Sequence, residues 1–204
     1  MVKSLAVVVL LLLAGGVSAA GDDTQVFLRV NPLAGESKTT SSGGSRGVLG
    51  LSTTRSQNTS KTITRNMKWN CEVRYRGKRR PEKLEVKAWY IGYEGTDTKP
   101  KVLGKDTKVL KLDEAGKASV EIESPTVRLS KSRTSSGSSG GHAGHIAKTK
   151  STVRGQRMAG CVVQLWEDGK LVKSYASMSQ WDRAAKDENF SEATLNRKEK
   201  NRLN

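Results

Sequence analysis

Apolar and polar residues alternate most strictly over the ten residues 67–76, MKWNCEVRYR. Met67, Trp69, Cys71, Val73 and Tyr75 are apolar or aromatic, and Lys68, Asn70, Glu72, Arg74 and Arg76 fall between them. A period of two predicts a β-strand with one face buried and one in water. Cys71 therefore points inward, in line with Trp69 and Val73. The strand ends at Gly77, Lys78, Arg79, Arg80 and Pro81, a turn with a basic cluster. Residues 83–93, KLEVKAWYIGY, predict the next strand. Leu84, Val86, Ala88 and Tyr90 share one face, while Trp89 and Ile91 share the other, so its end is covered on both sides. Shorter strands are expected at 102–103 and 109–112, a turn at 113–117, and a strand in which Ala118, Val120 and Ile122 alternate with Ser119, Glu121 and Glu123. Two β-favouring runs, 161–166 and 171–177, flank Asp168-Gly169, which is a strong hairpin signal. Cys161, Val163 and Leu165 fall on one face of the first run.

Two passages break this pattern. Residues 37–46, SKTTSSGGSR, have the composition of a flexible linker. Residues 125–160 hold Arg128, Lys131, Arg133, Lys148, Lys150, Arg154 and Arg157 with no acidic residue, around the Ser/Gly-rich centre 134–144. That centre has too little apolar surface to order itself, so an inserted basic loop is expected at 125–157. Two Ser/Gly runs are not evidence of a repeat. From 178 onward the chain is charged and helix-favouring. Ser179 and Asp182 fit a helix start, and Trp181 and Ala185, four apart, give one small apolar face to lie on the strands.

The N-terminus changes the picture of compartment. Lys3, the apolar run 5–14 and the small residues Gly15, Gly16, Val17, Ser18, Ala19 and Ala20 form the three parts of a secretory signal. The apolar run is shorter than the ~20 residues needed to span a bilayer. Cleavage after Ala19 or Ala20 fits equally well. The expected organisation is a signal peptide at 1–20, an N-terminal strand (around Val26, Phe27, Leu28, Arg29 and Val30) and flexible linker at 21–59, a β-sandwich at 60–177 carrying the inserted loop, and a helical charged tail at 178–204. Hydrophobic content of 35% and aromatic content of 5% imply a modest core. An exported chain with a formal charge of +16 has anionic envelope polymer or an acidic protein as its natural counterions, and no specific nucleic acid. Solubility alone is the competing account of that charge.

The chain has two cysteines, Cys71 and Cys161, both on inferred inner faces. In an oxidising compartment pairing is the default, and a bridge between an early and a late strand would pin two sheets together. Cys71, Trp89 and Cys161, followed by the 167–170 hairpin turn, resemble the immunoglobulin-like sandwich, which sets a Cys on its second strand, a Trp on its third and a Cys on its sixth. The resemblance covers about residues 60–177. It departs from the family in its long span between cysteines and in having Ala159 where a tyrosine corner would place Tyr. It implies an all-β, immunoglobulin-like antiparallel sandwich with one inter-sheet disulfide, to which the sequence adds a short C-terminal helix. The layout also resembles exported bacterial proteins, a likeness that carries no function with it.

Candidate chemistry is sparse. His142 and His145 are three apart, but their surroundings supply no third ligand, so the pair reads as exposed histidines and not as a metal site. Glu72, Glu85, Glu121 and Glu123 all occupy polar alternation positions, where a solvated strand face is the simpler account. Asn58-Thr59-Ser60 and Asn189-Phe190-Ser191 match the glycosylation sequon, a match common by chance. No cofactor is implied. The densest basic cluster is Arg74, Arg76, Lys78, Arg79 and Arg80, a candidate anion-binding site or a solvated edge. The expected function is therefore an exported, non-enzymatic binding or structural protein of the cell envelope, periplasmic or extracellular, contacting anionic polymer through a basic face. The alternative is an accessory or hydrolytic enzyme of envelope or polysaccharide metabolism, marked by two inward carboxylates in a cleft.

Overall fold

The structure, a computed structural model, describes residues 25–46, 53–77, 80–139 and 148–197. Within them run ten strands: β1 (Gln25–Leu33), β2 (Ser37–Arg46), β3 (Thr53–Arg65), β4 (Lys68–Arg76), β5 (Leu84–Glu94), β6 (Lys101–Leu110), β7 (Lys117–Glu123), β8 (Val127–Ser139), β9 (Lys148–Glu167) and β10 (Lys170–Ala176). A 3-10 turn (Ser179–Trp181) and two single-turn helices, α1 (Asp182–Ala185) and α2 (Glu192–Leu195), follow. All strand pairs are antiparallel. The expected signal peptide and the two histidines lie outside the described residues.

One sheet has the order β1–β4–β7, and the other β2–β3–β8–β9–β5–β6 with β10 also on β9. Their apolar faces share one core. Val26, Val30, Trp69, Cys71, Val73 and Ile122 enter from the first sheet, and Leu84, Val86, Ala88, Tyr90, Cys161, Val163 and Leu165 from the second. The inward residues of β4 and β5 are those the alternation selects, because a strand with a one-sided apolar set has only one register that buries it. Trp69 stacks on Tyr90 across the core, centroids 5.9 Å apart. Tyr75 closes one end by donating its hydroxyl to Glu167 Oε1 at 2.8 Å. The Asp-Gly hairpin forms as expected. Asp168 and Gly169 both have positive φ, 46° and 83°, the twist that a two-residue turn between β9 and β10 requires.

The disulfide expected between Cys71 and Cys161 is not present. Both are free, buried thiols. Facing sheets stand ~10 Å apart, whereas a disulfide requires Cα atoms within about 7 Å. The Trp69–Tyr90 pair, beside Cys71 on β4 and opposite Cys161 on β5, fills the space that a bridge would have to pinch. Trp89 differs from the family pattern as well. It faces away from this core and packs against Phe190, centroids 4.9 Å apart.

That outer face of β5 and β9 carries a second cluster, in which Ile91 and Val162 are covered by Trp181, Ala185 and Phe190. Trp181, 2% exposed, caps the strands as its spacing from Ala185 predicts. Gln164 fixes the cover in place. It is fully buried, donates Nε2 to the carbonyls of Ala185 (2.9 Å) and Asp187 (2.8 Å), and accepts from Trp166 Nε1 at 3.1 Å.

The largest departure from the sequence reading lies at 37–46 and 125–157. Residues 37–46, 127–139 and 148–155, expected as linker and inserted loop, pair as strands: β2 on β3, β3 on β8, and β8 on the first part of β9; residues 140–147 of the expected loop lie outside the described residues. Backbone ladders need no apolar side chains, and Ser/Thr-rich strands can zip together once neighbours hold them in register. The neighbours here are the first sheet's own strands. β1 runs through 34–36 into β2, β3 through 66–67 into β4, and β7 through 124–126 into β8, with the same lateral order on both sides of the joint. Asn66 and Ser124, both buried, tie the joint together. Asn66 Oδ1 accepts from Glu36 N (2.6 Å), its Nδ2 donates to Glu123 Oε1 (2.6 Å), and Ser124 Oγ accepts from Met67 N (2.9 Å). β9 leaves this extension at Gly155, whose φ of +96° and contact with the Arg128 carbonyl leave no room for a Cβ. Beyond it β9 joins β5.

Candidate functional site

The cluster singled out in the sequence is only partly assembled. Arg74 and Arg76 stand on the outer face of β4, and cross-strand register sets Phe27 and Lys117 on either side of Arg74. The Arg76 guanidinium lies 5.9 Å from the Phe27 ring centre. With Arg29 and Glu72 they line an open hollow of about 510 Å³. Arg80 is directed elsewhere, donating Nη2 to the Glu114 carbonyl at 2.8 Å. Lys78 and Arg79 lie outside the described residues. Glu72 accepts from Asn31 and Asn70 beside Arg74, so this patch mixes both signs of charge.

The four-stranded extension does not. β2, β3, β8 and β9 as far as Gly155 contain eleven Lys and Arg and no Asp or Glu. The formal net charge of the chain is +16, so most of its excess sits in these strands. Lys61, Lys131, Arg133, Arg128, Arg154 and Lys150 are exposed. Lys61 faces Lys131 directly across β3 and β8, an arrangement that disfavours the sheet by roughly 0.2–1 kcal/mol. Arg133, two residues along β8 and so on the same face, pairs with Thr59 and Ser151 on its two sides. Together with Ser41, Gly43 and Ser60 they line a hollow of about 340 Å³. Thr59, on the same face as Lys61, donates Oγ1 to the Arg133 carbonyl, while the Ser42 and Ser60 hydroxyls, 2.7 Å apart, lie on the opposite face of the sheet. No ion pair among the described residues involves Lys61, Lys131 or Arg133.

The carboxylates and thiols are placed apart from this surface. Glu72 and Glu121 face outward from the first sheet, Glu123 pairs with Lys68 at 3.4 Å and Glu85 with Lys83 at 2.8 Å. Burial pushes the Cys71 thiol up to about 12 and raises that of Cys161 as well, so both stay protonated and unreactive at neutral pH. Among the described residues no three His, Cys, Asp or Glu side chains come together as a metal site, and no helix is long and apolar enough to cross a membrane.

Comparison of the chain with protein-family models, with curated proteins and with solved structures yields no match. The geometry above is therefore what bears on function. The sequence carried one sign of the extension, the acid-free stretch after 125. It hid the rest, because the matching absence of acid in 37–46 and 53–65 means little until register brings those residues alongside.

Proposed function

We propose that this chain is an exported, non-enzymatic binding protein of the cell envelope, an immunoglobulin-like sandwich that holds anionic polymer against an acid-free β extension. The observation that carries this reading is the concentration of eleven cations and no carboxylate in β2, β3, β8 and β9 as far as Gly155. At ~3.3 Å per residue and ~4.8 Å between strands, a ten-residue strand such as β2 makes a sheet about 33 Å long. Lys61, Lys131 and Arg133, directly paired or two residues apart on one face, have roots within about one Debye length, ~8 Å, of one another, so they repel unless a polyanion shares them. Export rests on the signal at 1–20. The immunoglobulin-like reading is supported by strand order, with β1–β4–β7 packed against β6–β5–β9–β10, the arrangement of that fold's two sheets.

The test compares binding of the mature protein to sulfated and to neutral dextran across a salt series. Six extension residues (Lys61, Arg65, Arg128, Lys131, Arg133 and Arg154) are changed to Gln in one variant. In the other, six cations of the body (Lys87, Lys105, Lys108, Lys111, Lys170 and Lys173) are changed likewise. Loss of sulfated-dextran binding in the first variant alone is expected. Equal loss in both would reduce the effect to net charge and overturn the reading.

A further inference from the structure

We infer that Lys61, Lys131 and Arg133 form a subsite for one phosphate or sulfate ester group of the bound polymer. This rests on the polymer-binding reading and adds where the chain is held and which anion it selects. Register alone brings the three cations together. Lys61 and Lys131 are direct cross-strand partners, and Arg133 follows Lys131 on the same face of β8. They rise from two central strands of the extension, flanked by β2 and β9, where the backbone is hydrogen-bonded on both edges and holds the side-chain roots fixed. Paired strands set the spacing of the cations more closely than a loop would.

The floor between the cations is cut low. Gly43 lies opposite Thr59, and a Cβ at Gly43 would meet only the Thr59 methyl, at 3.7 Å. The missing side chain deepens the hollow without being forced by the backbone. At about 340 Å³ the hollow is at the small end of the ~300–1,000 Å³ range of small-molecule sites. That suits one charged group with its attached sugar or phosphate unit.

The donor set argues for an ester oxyanion over a carboxylate. Two ammonium groups and a guanidinium fork, rooted at three positions on one face of the sheet, offer donors from three directions. A carboxylate is planar and presents two oxygens, whereas a phosphate or sulfate ester presents three around a tetrahedral centre. The directly opposed Lys61–Lys131 pair is disfavoured in the empty sheet and becomes favourable once a dianion or its equivalent sits between the two. A polymer is the source because the cations continue past the hollow on the same sheet, whereas a free ion would use only these three.

The experiment measures affinity of the mature chain for linear polyphosphate, polyglutamate of matched charge, and inorganic phosphate. The variant K61Q/K131Q/R133Q is compared with R74Q/R76Q/K117Q, which removes as much charge from the body, and with the charge-conserving K61R/K131R/R133K. Wild type is expected to prefer polyphosphate over polyglutamate by about tenfold or more. K61Q/K131Q/R133Q should lose that preference with its melting temperature kept or raised, while the other two keep it. An unchanged preference in K61Q/K131Q/R133Q, or equal losses in both Gln variants, overturns the subsite and leaves polymer binding standing. Full competition by inorganic phosphate at equal phosphorus concentration overturns the polymer as source. No binding to any polymer overturns the functional reading itself.

Discussion

Gln164 tests most directly whether the tail is part of the fold. Its amide sits fully buried between β9 and the chain after α1. Gln164→Leu keeps most of the volume and removes three hydrogen bonds of 2.8 to 3.1 Å. Each is worth ~1 kcal/mol net, and the orphaned carbonyls and indole N–H add part of their own desolvation cost. A loss of about 3–5 kcal/mol follows, or roughly 6–20 °C in melting temperature for a domain of this size. Gln164→Glu separates geometry from charge. It keeps the acceptor for Trp166 but turns a carboxylate toward two carbonyl oxygens. The buried charged form is disfavoured, so the folded pKa of that Glu rises above its ordinary ~4.3. Between the two values the native state holds the extra proton, so stability falls as pH rises. Urea titrations followed by tryptophan fluorescence, at pH 4 and pH 7, read both effects. Gln164→Leu within about 0.5 kcal/mol of wild type, or a Glu variant equally stable at both pH values, would refute the pinning argument.

Tyr90 is 2% exposed and its hydroxyl makes no well-formed hydrogen bond among the described residues, only a loose approach to the Glu123 backbone, so Tyr90→Phe is expected to leave stability unchanged or raise it by up to about 1 kcal/mol; a loss above 1 kcal/mol in urea would show that the hydroxyl is satisfied. The Cys71 thiol keeps its proton up to about pH 12 when folded and loses it near 9 when unfolded, so stability is intact below pH 9 and declines above it by ~1.4 kcal/mol per pH unit for this group; an alkaline unfolding series on wild type and Cys71→Ala checks the slope, which Cys71→Ala should lessen. The same thiols should resist a disulfide-exchange reagent in the native protein and react in urea, and a denatured chain without reactive thiols would contradict the free-cysteine structure. Gly155→Ala forces a Cβ against the Arg128 carbonyl at φ +96° and should cost about 2–4 kcal/mol, with earlier proteolysis between β8 and β9; full protease resistance would refute the close approach.

The body of the fold was legible because its strands alternate. β4, β5, β7 and the β9–β10 hairpin lie where period two and Asp168-Gly169 place them, and Tyr90, Val86 and Val163 face the core accordingly. The cysteines were misread for a reason that alternation cannot supply. It reports which face a side chain takes, not how far apart two sheets stand, and that separation is held by Trp69 and Tyr90. Alternation set Trp89 with Ile91 on the face opposite Tyr90, and there it packs under Phe190; the core place that the family resemblance implies for a Trp of this strand is not the one it takes. β2, β3 and β8 were illegible because Ser, Thr and Gly in 37–46 and 127–139 carry no apolar period at all. Their order comes from continuity with β1, β4 and β7 and from Asn66, a buried amide whose role no local pattern announces.

Such a sheet cannot be stabilised by burial, so its stability has to come from its ends and from its partner. At its root the extension inherits register from three strands that do have a core, and Leu129, Val127 and the Asn66–Ser124 joint anchor it there. Further out, among the described residues, backbone ladders and hydroxyl contacts oppose the mutual repulsion of the cations. The outer rows should therefore open at lower free energy than the sandwich, as weakly packed segments do. A polyanion that binds the paired form adds RT ln(1 + [L]/Kd) to its stability and removes the repulsion in the same step. Hydrogen exchange in β3 and β8 should then slow by a large factor on adding polyphosphate, while β5 and the second half of β9 barely change. Equal protection in β3, β8, β5 and the second half of β9 would mean that the ligand stabilises the chain as a whole. No change anywhere would mean that the extension is not where the polymer lies.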